Sequence, residues 1–418
     1  MARRRMSRRE FLRAAARYGV VVTGAGLLLS DPRALLRLLA AAPTDAAAAT
    51  LLDRIVAQAP VARYWISTRS GGVSCADCHT PDETGGHTAF DHGGKTMVRC
   101  RLCANACLLA PGERGRCHAR MNVDGTLRSL VYGRPITTHV DPIEKKPFYN
   151  FLPGAQAFSL ATSGCALHCR FCQNWEISQA RPEDYDVPFT PPSRIVGEAR
   201  LRSAPVIAFT YNEPTVFTEY LLDIAREARD HGIRSVLVSC GFMTEAPLAD
   251  MCRTLAAIKI DLKGFSEEFY RKVSRAHLQP VLRSIKQVRA SDAHLELVNL
   301  VVPTLNDSDA MLRGLIHWVL DELGPDVPVH FTRFHPDYQL ANLPPTPVAT
   351  LTRAWHMARD AGIRYAYVGN VPGHPGNNTY CPGCGRVVIG RRGFFITEMN
   401  LNGGKCRFCN TPIAGVWS

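Results

Sequence analysis

Thirteen of the 15 cysteines in this 418-residue chain fall into close groups, and that grouping constrains the fold more than any other feature. The groups are Cys75 and Cys78; Cys100, Cys103, Cys107 and Cys117; Cys165, Cys169 and Cys172; and Cys381, Cys384, Cys406 and Cys409. Cys240 and Cys252 stand outside them. A chain this long buries a full core and needs no disulfide staples. Cysteines separated by two residues bond one another poorly but converge well on a metal, so the thiols read as ligands of ions or clusters.

Around these groups the composition is that of a globular protein, 46% hydrophobic and 21% charged, which excludes disorder and collagen. No uninterrupted apolar run reaches the roughly 18 to 20 residues of an ordinary membrane-spanning helix. The net charge of +12 suggests nucleic acid until it is localised. Residues 1 to 42 hold nine Arg against Glu10 and Asp31, which leaves +5 for the other 376 residues. No nucleic-acid partner is expected from so weak a balance. Arg8 and Arg9, in Ser7-Arg8-Arg9-Glu10-Phe11-Leu12, precede a short, weakly apolar stretch at 19–29. Paired arginines in that setting resemble a twin-arginine export signal, which would take the folded protein to the periplasm or another extracytoplasmic space. The alternative is a basic amphipathic segment on a cytoplasmic protein.

From residue 158 onward short β-rich runs alternate with helical stretches. The strands are predicted at 158–162, 206–210, 235–239, 256–261, 295–302, 327–334 and 365–368, with helices such as 216–229, 310–323 and 348–361 between them. Repeated strand and helix units imply an α/β fold of parallel strands with right-handed crossovers, here an incomplete (β/α) barrel. Its chemistry belongs at the C-terminal ends of the strands. The predicted division is an export-signal-like segment at 1–42, a Cys-rich metal-organised module at 43–125, a connecting segment at 126–155, the barrel at 156–372 and a small terminal module at 373–418.

Cys165-Ala166-Leu167-His168-Cys169-Arg170-Phe171-Cys172 follows the first predicted strand directly. Three thiolates in this spacing can hold three irons of a [4Fe-4S] cluster and leave the fourth without a protein ligand. An open iron can chelate the amino and carboxylate groups of S-adenosylmethionine, so that one electron from a low-potential donor breaks a carbon–sulfur bond and yields a 5′-deoxyadenosyl radical. A ferredoxin would supply a fourth Cys in the same run, whereas this sequence continues Gln173-Asn174-Trp175.

At these residues the chain resembles the radical S-adenosylmethionine enzymes, and within them the AmmeMemoRadiSam system radical enzymes, which are similar to the activating enzymes of pyruvate formate-lyase. The resemblance runs from about Cys100 to Trp417. It rests on Asp141-Pro-Ile-Glu-Lys-Lys-Pro147, Gly164-Cys165 through Ser178, Tyr211-Asn-Glu-Pro214, Asp261-Leu-Lys-Gly264, Pro303-Thr-Leu-Asn-Asp307 and Tyr367-Val-Gly-Asn-Val-Pro-Gly373. It implies that Phe171 belongs to the cluster loop, that Asn212 and Glu213 belong to the cofactor site with Glu213 accepting from the cofactor's ammonium, and that Lys263 contacts its methionyl carboxylate. Asp261 and His335 would belong to the polar surroundings. Read without the resemblance, Tyr211 to Pro214 is a turn opening a helix, Asp261 and Lys263 are a surface pair, and His335 is a solvated loop histidine. Asn212 departs from the glycine of the family's Gly-Gly-Glu-like segment. Val238-Ser239-Cys240-Gly241 lacks the acid and amide of the related Asp-Thr-Asn-Gly, and Cys240 reads as a small buried filler or else a thiol facing the cavity.

Cys381-x2-Cys384 and Cys406-x2-Cys409, joined by a predicted hairpin at 386–389 and 394–398, form the two knuckles of a zinc ribbon. Cys100, Cys103, Cys107 and Cys117 suit zinc or an auxiliary iron–sulfur cluster. Cys75-Ala-Asp-Cys78-His79 matches the haem c attachment pattern, with His87 and His92 as candidate axial ligands, although five Cys pairs of this spacing make a following His a frequent coincidence. The expected function is hydrogen abstraction from an unidentified substrate, with a Memo-like protein as the partner that the resemblance implies. A glycyl-radical activase is the nearest alternative, and an exported non-catalytic iron–sulfur or haem electron carrier the alternative of another class.

Overall fold

The computed structural model describes residues 50–67 and 96–418. The export-signal-like segment and Cys75, Cys78, His79, His87 and His92 lie outside the described residues. The N-terminal part carries helix α1 (Leu51–Gln58) and three short antiparallel strands, β1 (Trp65–Ser67), β2 (Val98–Cys100) and β3 (Leu108–Leu109). A hairpin of β4 (Arg120–Val123) and β5 (Thr126–Ser129) follows. Its two-residue turn places Asp124 and Gly125 at φ 49° and 83°, which is why an Asp-Gly pair stands there.

Eight strands make the central sheet: β6 (Thr137–Pro142), β7 (Gln156–Ala161), β8 (Val206–Phe209), β9 (Arg234–Ser239), β10 (Ala257–Asp261), β11 (His294–Val301), β12 (Val329–Arg333) and β13 (Ala366–Gly369). They lie in sequence order, β7 to β13 parallel and β6 antiparallel on the outer edge of β7. The crossovers carry α2 (Pro192–Leu201), α3 (Thr218–Asp230), α4 (Glu245–Thr254), α5 (Leu278–Arg289), α6 (Asp309–Leu323) and α7 (Val348–Ala361). All seven predicted strands are present. β6 falls in the segment read as a connector; its half-exposed polar sequence ends in Pro142, which suits an edge strand and hides it from a search for apolar runs.

Alternation along the strands separates two faces. Phe158, Leu160, Ile207, Phe209, Leu237, Ile258, Ile260, Leu297, Phe331 and Val368 pack with the helices into the main core. Ala157, Ala208, Val236 and Ala257 on the other face meet Phe148 and Phe151. That same face carries Lys259, paired in register with Glu296, and His330, paired with Val298.

The N-terminal ends of the strands are closed by residues 143–155 and the terminal module. Buried Glu296 accepts hydrogen bonds from the Tyr149 and Asn150 amides at 3.0 and 2.8 Å and binds His330 Nε2 at 2.6 Å and His294 Nε2 at 3.0 Å. The terminal module consists of β14 (Thr379–Tyr380), β15 (Val387–Arg392) and β16 (Phe395–Met399), with a small pair, β17 (Leu401–Asn402) and β18 (Lys405–Cys406). Its Arg391 donates to Tyr149 O at 2.6 Å, and Val416 bridges Phe151.

Against the cost of burial, the two histidines hold the Glu296 carboxyl down to about 2 from its usual 4.5. The stabilisation this carboxylate gives is therefore full above its unfolded value and is lost as pH falls from about 4.5 toward 2. Replacing Glu296 by Ala strands two buried amides and His330, and is expected to lower stability by about 3 to 5 kcal/mol, measured by urea unfolding. The variant should also lose less stability than the wild type across that acidic interval.

Candidate active site at the C-terminal ends of the strands

The cysteine loop leaves β7 at the end that parallel α/β sheets use for chemistry. Cys169 is buried, and Cys165 and Cys172 are half-buried. The Leu167 amide donates to Cys165 Sγ at 3.4 Å, and Cys172 Sγ lies 3.6 Å from Ser178 Oγ. The loop is clamped from the far side of the sheet. After β10 the chain makes a π-helical turn, Tyr270–Ser274, that accepts the Arg170 amide at Val273 O (2.9 Å), and Cys169 Sγ lies 3.8 Å from Ser274 O. After β12, Gln339 N donates to Arg170 O at 3.0 Å, and Tyr338 stacks on Trp175 at 5.3 Å.

Asp261 and Lys263 are brought to this loop. Lys263 Nζ binds Asp261 Oδ2 at 3.1 Å and sits 5.5 Å above the centre of the buried Phe171 ring, which itself stacks on Phe269. The pair is half-buried. Sequence reasoning missed Lys259, which is buried and bonds the other oxygen of Asp261. Burial raises the Asp261 carboxyl, yet Lys259 and then Lys263 hold it down to about 2. Burial likewise opposes the Lys263 charge, but Asp261 and then Cys169 and Cys240 raise it well above the usual lysine value. The cation is therefore fixed at the mouth of the cysteine loop. Its backbone is fixed too: Lys263 N donates to Tyr270 OH at 3.1 Å, and Asn306 Nδ2 donates to Lys263 O at 2.6 Å. Asn306 belongs to the Pro303 to Asp307 motif, so that motif acts by positioning Lys263.

Glu213 and Asn212 stand at the end of β8. Glu213 caps the short 3-10 helix Pro214–Phe217, as the turn reading expected, and is buried. Its Oε1 accepts from Thr215 N, Thr215 Oγ1 and Ser239 Oγ at 3.1, 2.5 and 2.8 Å, and its Oε2 from Cys240 N at 2.7 Å. Asn212 Nδ2 donates to Gly164 O at 2.7 Å, beside Cys165, while its Oδ1 is buried without a hydrogen-bond partner. The unusual backbone lies one residue earlier: Tyr211 has φ 72°. Its hydroxyl bonds Asp141 at 3.0 Å, and Lys146 Nζ lies 4.5 Å over its ring. Cys240 is buried as expected, and burial followed by the charges of Glu213 and Cys165 pushes its thiol well up. His335 is exposed, and among the described residues it makes no hydrogen bond to the Asp261 and Lys263 network.

Residues 159–316 match the Radical SAM superfamily. Over 318 residues the chain is 42% identical to an uncharacterized protein of Methanocaldococcus jannaschii, covering 76% of this chain and 95% of that one. The chain belongs to the radical SAM superfamily. Among solved structures it is similar to a radical SAM methyltransferase from Sphaerobacter thermophilus, with 14% identity, a TM-score of 0.43, and 70% of this chain and 76% of that one covered. It is also similar to a domain of pyruvate-formate lyase-activating enzyme from Bacteroides vulgatus, with 16% identity, a TM-score of 0.35, and 39% and 98% covered. Membership implies an iron–sulfur cluster and S-adenosylmethionine. The residues present fit both. Three thiols share one loop beside a fixed ammonium group, and a buried amide oxygen at Asn212 lacks a donor.

The terminal cysteines form a separate group that can hold a metal ion. Cys381 and Cys409 bring their sulfurs to 3.5 Å, Cys384 and Cys406 to 3.8 Å, and all four lie within 4.8 Å of one another. Tetrahedral thiolate coordination at about 2.3 Å sets sulfurs at about this separation. Replacing Cys381 by Ser is expected to release any metal held there and loosen the terminal module, while the visible absorption of an iron–sulfur cluster stays unchanged. Elemental analysis beside the absorption spectrum checks both halves.

Proposed function

We propose that this protein reductively cleaves S-adenosylmethionine at a [4Fe-4S] cluster held by Cys165, Cys169 and Cys172, and abstracts hydrogen from a substrate of its own. When bound, the cluster supplies the electron that converts S-adenosylmethionine to methionine and a 5′-deoxyadenosyl radical. The observation that carries this reading is Lys263, a cation locked by Asp261, Tyr270 and Asn306 directly beside the cysteine loop.

In this reading Lys263 binds the methionyl carboxylate, and Asp261 with Lys259 keeps it charged and aimed. Asn212 Oδ1 and the lone pair left on Glu213 Oε2 accept the ammonium hydrogens. Phe171 excludes water beneath the Lys263 chain. The sheet is taken as an incomplete barrel whose mouth opens at these residues and whose floor is sealed by a zinc-binding terminal ribbon. The sequence resemblance supports a place among the AmmeMemoRadiSam system enzymes, with a Memo-like partner. The arginine pair near the N-terminus supports export of the folded, loaded protein.

Anaerobically reconstituted and reduced protein is expected to release methionine and 5′-deoxyadenosine, quantified by liquid chromatography. Absence of both with an intact, reducible cluster would overturn the reading. Cys169→Ala should abolish cleavage with loss of the cluster. Lys263→Ala should leave the cluster assembled and weaken S-adenosylmethionine binding about ten- to a hundred-fold, the value of a charge-assisted hydrogen bond. A titration followed by the cluster's spectrum reads that shift.

A further inference from the structure

The four thiols of the N-terminal group take no part in the reading above, yet the fold gathers them. Cys100 ends β2, Cys103 and Cys107 lie on the loop to β3, and Cys117 lies on the return before β4. Cys100, Cys103 and Cys117 are buried and Cys107 is half-buried. The Cys100 amide donates to Cys107 O at 2.9 Å. A side-chain carbon added to Gly115 would lie 3.7 Å from Cys117 Sγ and 3.9 Å from Cys107 Sγ, so two of the sulfurs flank one point of the chain. Such a group holds four thiolates together only around a metal centre.

A buried cation opens β4, just after Cys117: Arg120 is fully buried and pairs with Glu219. Its Nε has no hydrogen-bond partner. A buried guanidinium beside an anionic four-thiolate centre offsets part of the cost of dehydrating that centre.

Spacing separates the two metals that four thiolates could hold. Around one zinc ion every pair of sulfurs stands about 3.8 Å apart; around a cubane each thiolate binds a different iron and the sulfurs stand wider. Among the described residues, the terminal four cysteines are the one set with its ligand atoms all within 4.8 Å of one another. Neither Cys165, Cys169 and Cys172 nor the N-terminal four bring all their sulfurs within that distance of one another.

We infer that Cys100, Cys103, Cys107 and Cys117 hold a second four-iron cluster, fully ligated by protein thiolates and therefore without an open iron for S-adenosylmethionine. It would abut the first. Asn105 Nδ2 donates to Ala166 O, in the radical-cluster loop, at 2.8 Å and lies 3.7 Å from Cys103 Sγ. Gly164, at φ 88°, packs so tightly on the Cys117 carbonyl that a Cβ there would stand 2.2 Å from its oxygen.

The test is a count of iron, acid-labile sulfide and zinc in the full chain, purified anaerobically, which does not depend on whether S-adenosylmethionine is cleaved. Wild-type protein is expected to carry about eight sulfide-matched irons and about one zinc. A chain with Cys165, Cys169 and Cys172 all changed to Ala should keep about four irons, with a reduced electron paramagnetic resonance signal that S-adenosylmethionine leaves unchanged. Cys103→Ala with Cys117→Ala should lose that share of iron and keep the signal that responds to S-adenosylmethionine. About four irons with about two zincs in the wild type would overturn the inference, as would loss of zinc in place of iron from the Cys103 and Cys117 variant. The wild-type count decides the matter even where a variant fails to fold.

Discussion

The Asp261 carboxylate, held between two lysines on the inner face of β10, is the interaction around which the upper half of the molecule is arranged. A buried ion pair costs its own dehydration, and removing either partner leaves an uncompensated charge. Here one carboxylate is shared by two cations, with the buried carboxylate of Glu213 acting on Lys259 as well, and Lys263 is the cation that faces the cysteine loop. Lys259 is buried and Asp261 and Lys263 half-buried, so the attraction among them is only partly screened.

A second chain of contacts reaches the same loop from the sheet's edge. Asp141 at the end of β6 takes hydrogen bonds from Lys145 and Lys146 and from Tyr211. Tyr211 is thereby held in a left-handed conformation that a residue with a side chain adopts at a cost of order 1 to 3 kcal/mol. The turn so made aims Asn212 at Gly164 O, next to Cys165. The motif at 141–147 and the motif at 211–214 are thus two ends of one device, far apart in sequence and adjacent in space.

Much of this was legible in the sequence. Seven strands announced themselves as apolar runs, because a strand buried on both faces has little alternation to hide. The cysteine loop was legible by spacing, and Asp261 and Lys263 by their place after a strand. The residues that went unseen share a reason. Lys259 sits inside an apolar strand and looks like a solvent-facing residue until its register against Glu296 is known. Glu296, His294 and His330 come from two strands and converge only when the sheet pairs. Asn306 acts through a backbone carbonyl 43 positions earlier in the chain, a partnership that no local pattern encodes.

The floor of the sheet has its own consequence. Glu296 is enclosed by the Tyr149 and Asn150 amides, and Asn150 is in turn fastened to Ala414 O and the Val416 amide. Those partners stand 264 positions apart for the Asn150 side chain. During synthesis residues 143–155 emerge before the parallel strands they cover, whereas the terminal residues that fasten Asn150 emerge after all of them. The donors that cover Glu296 are therefore made before the sheet but are pinned in place last, when residues 414–416 come back to Asn150.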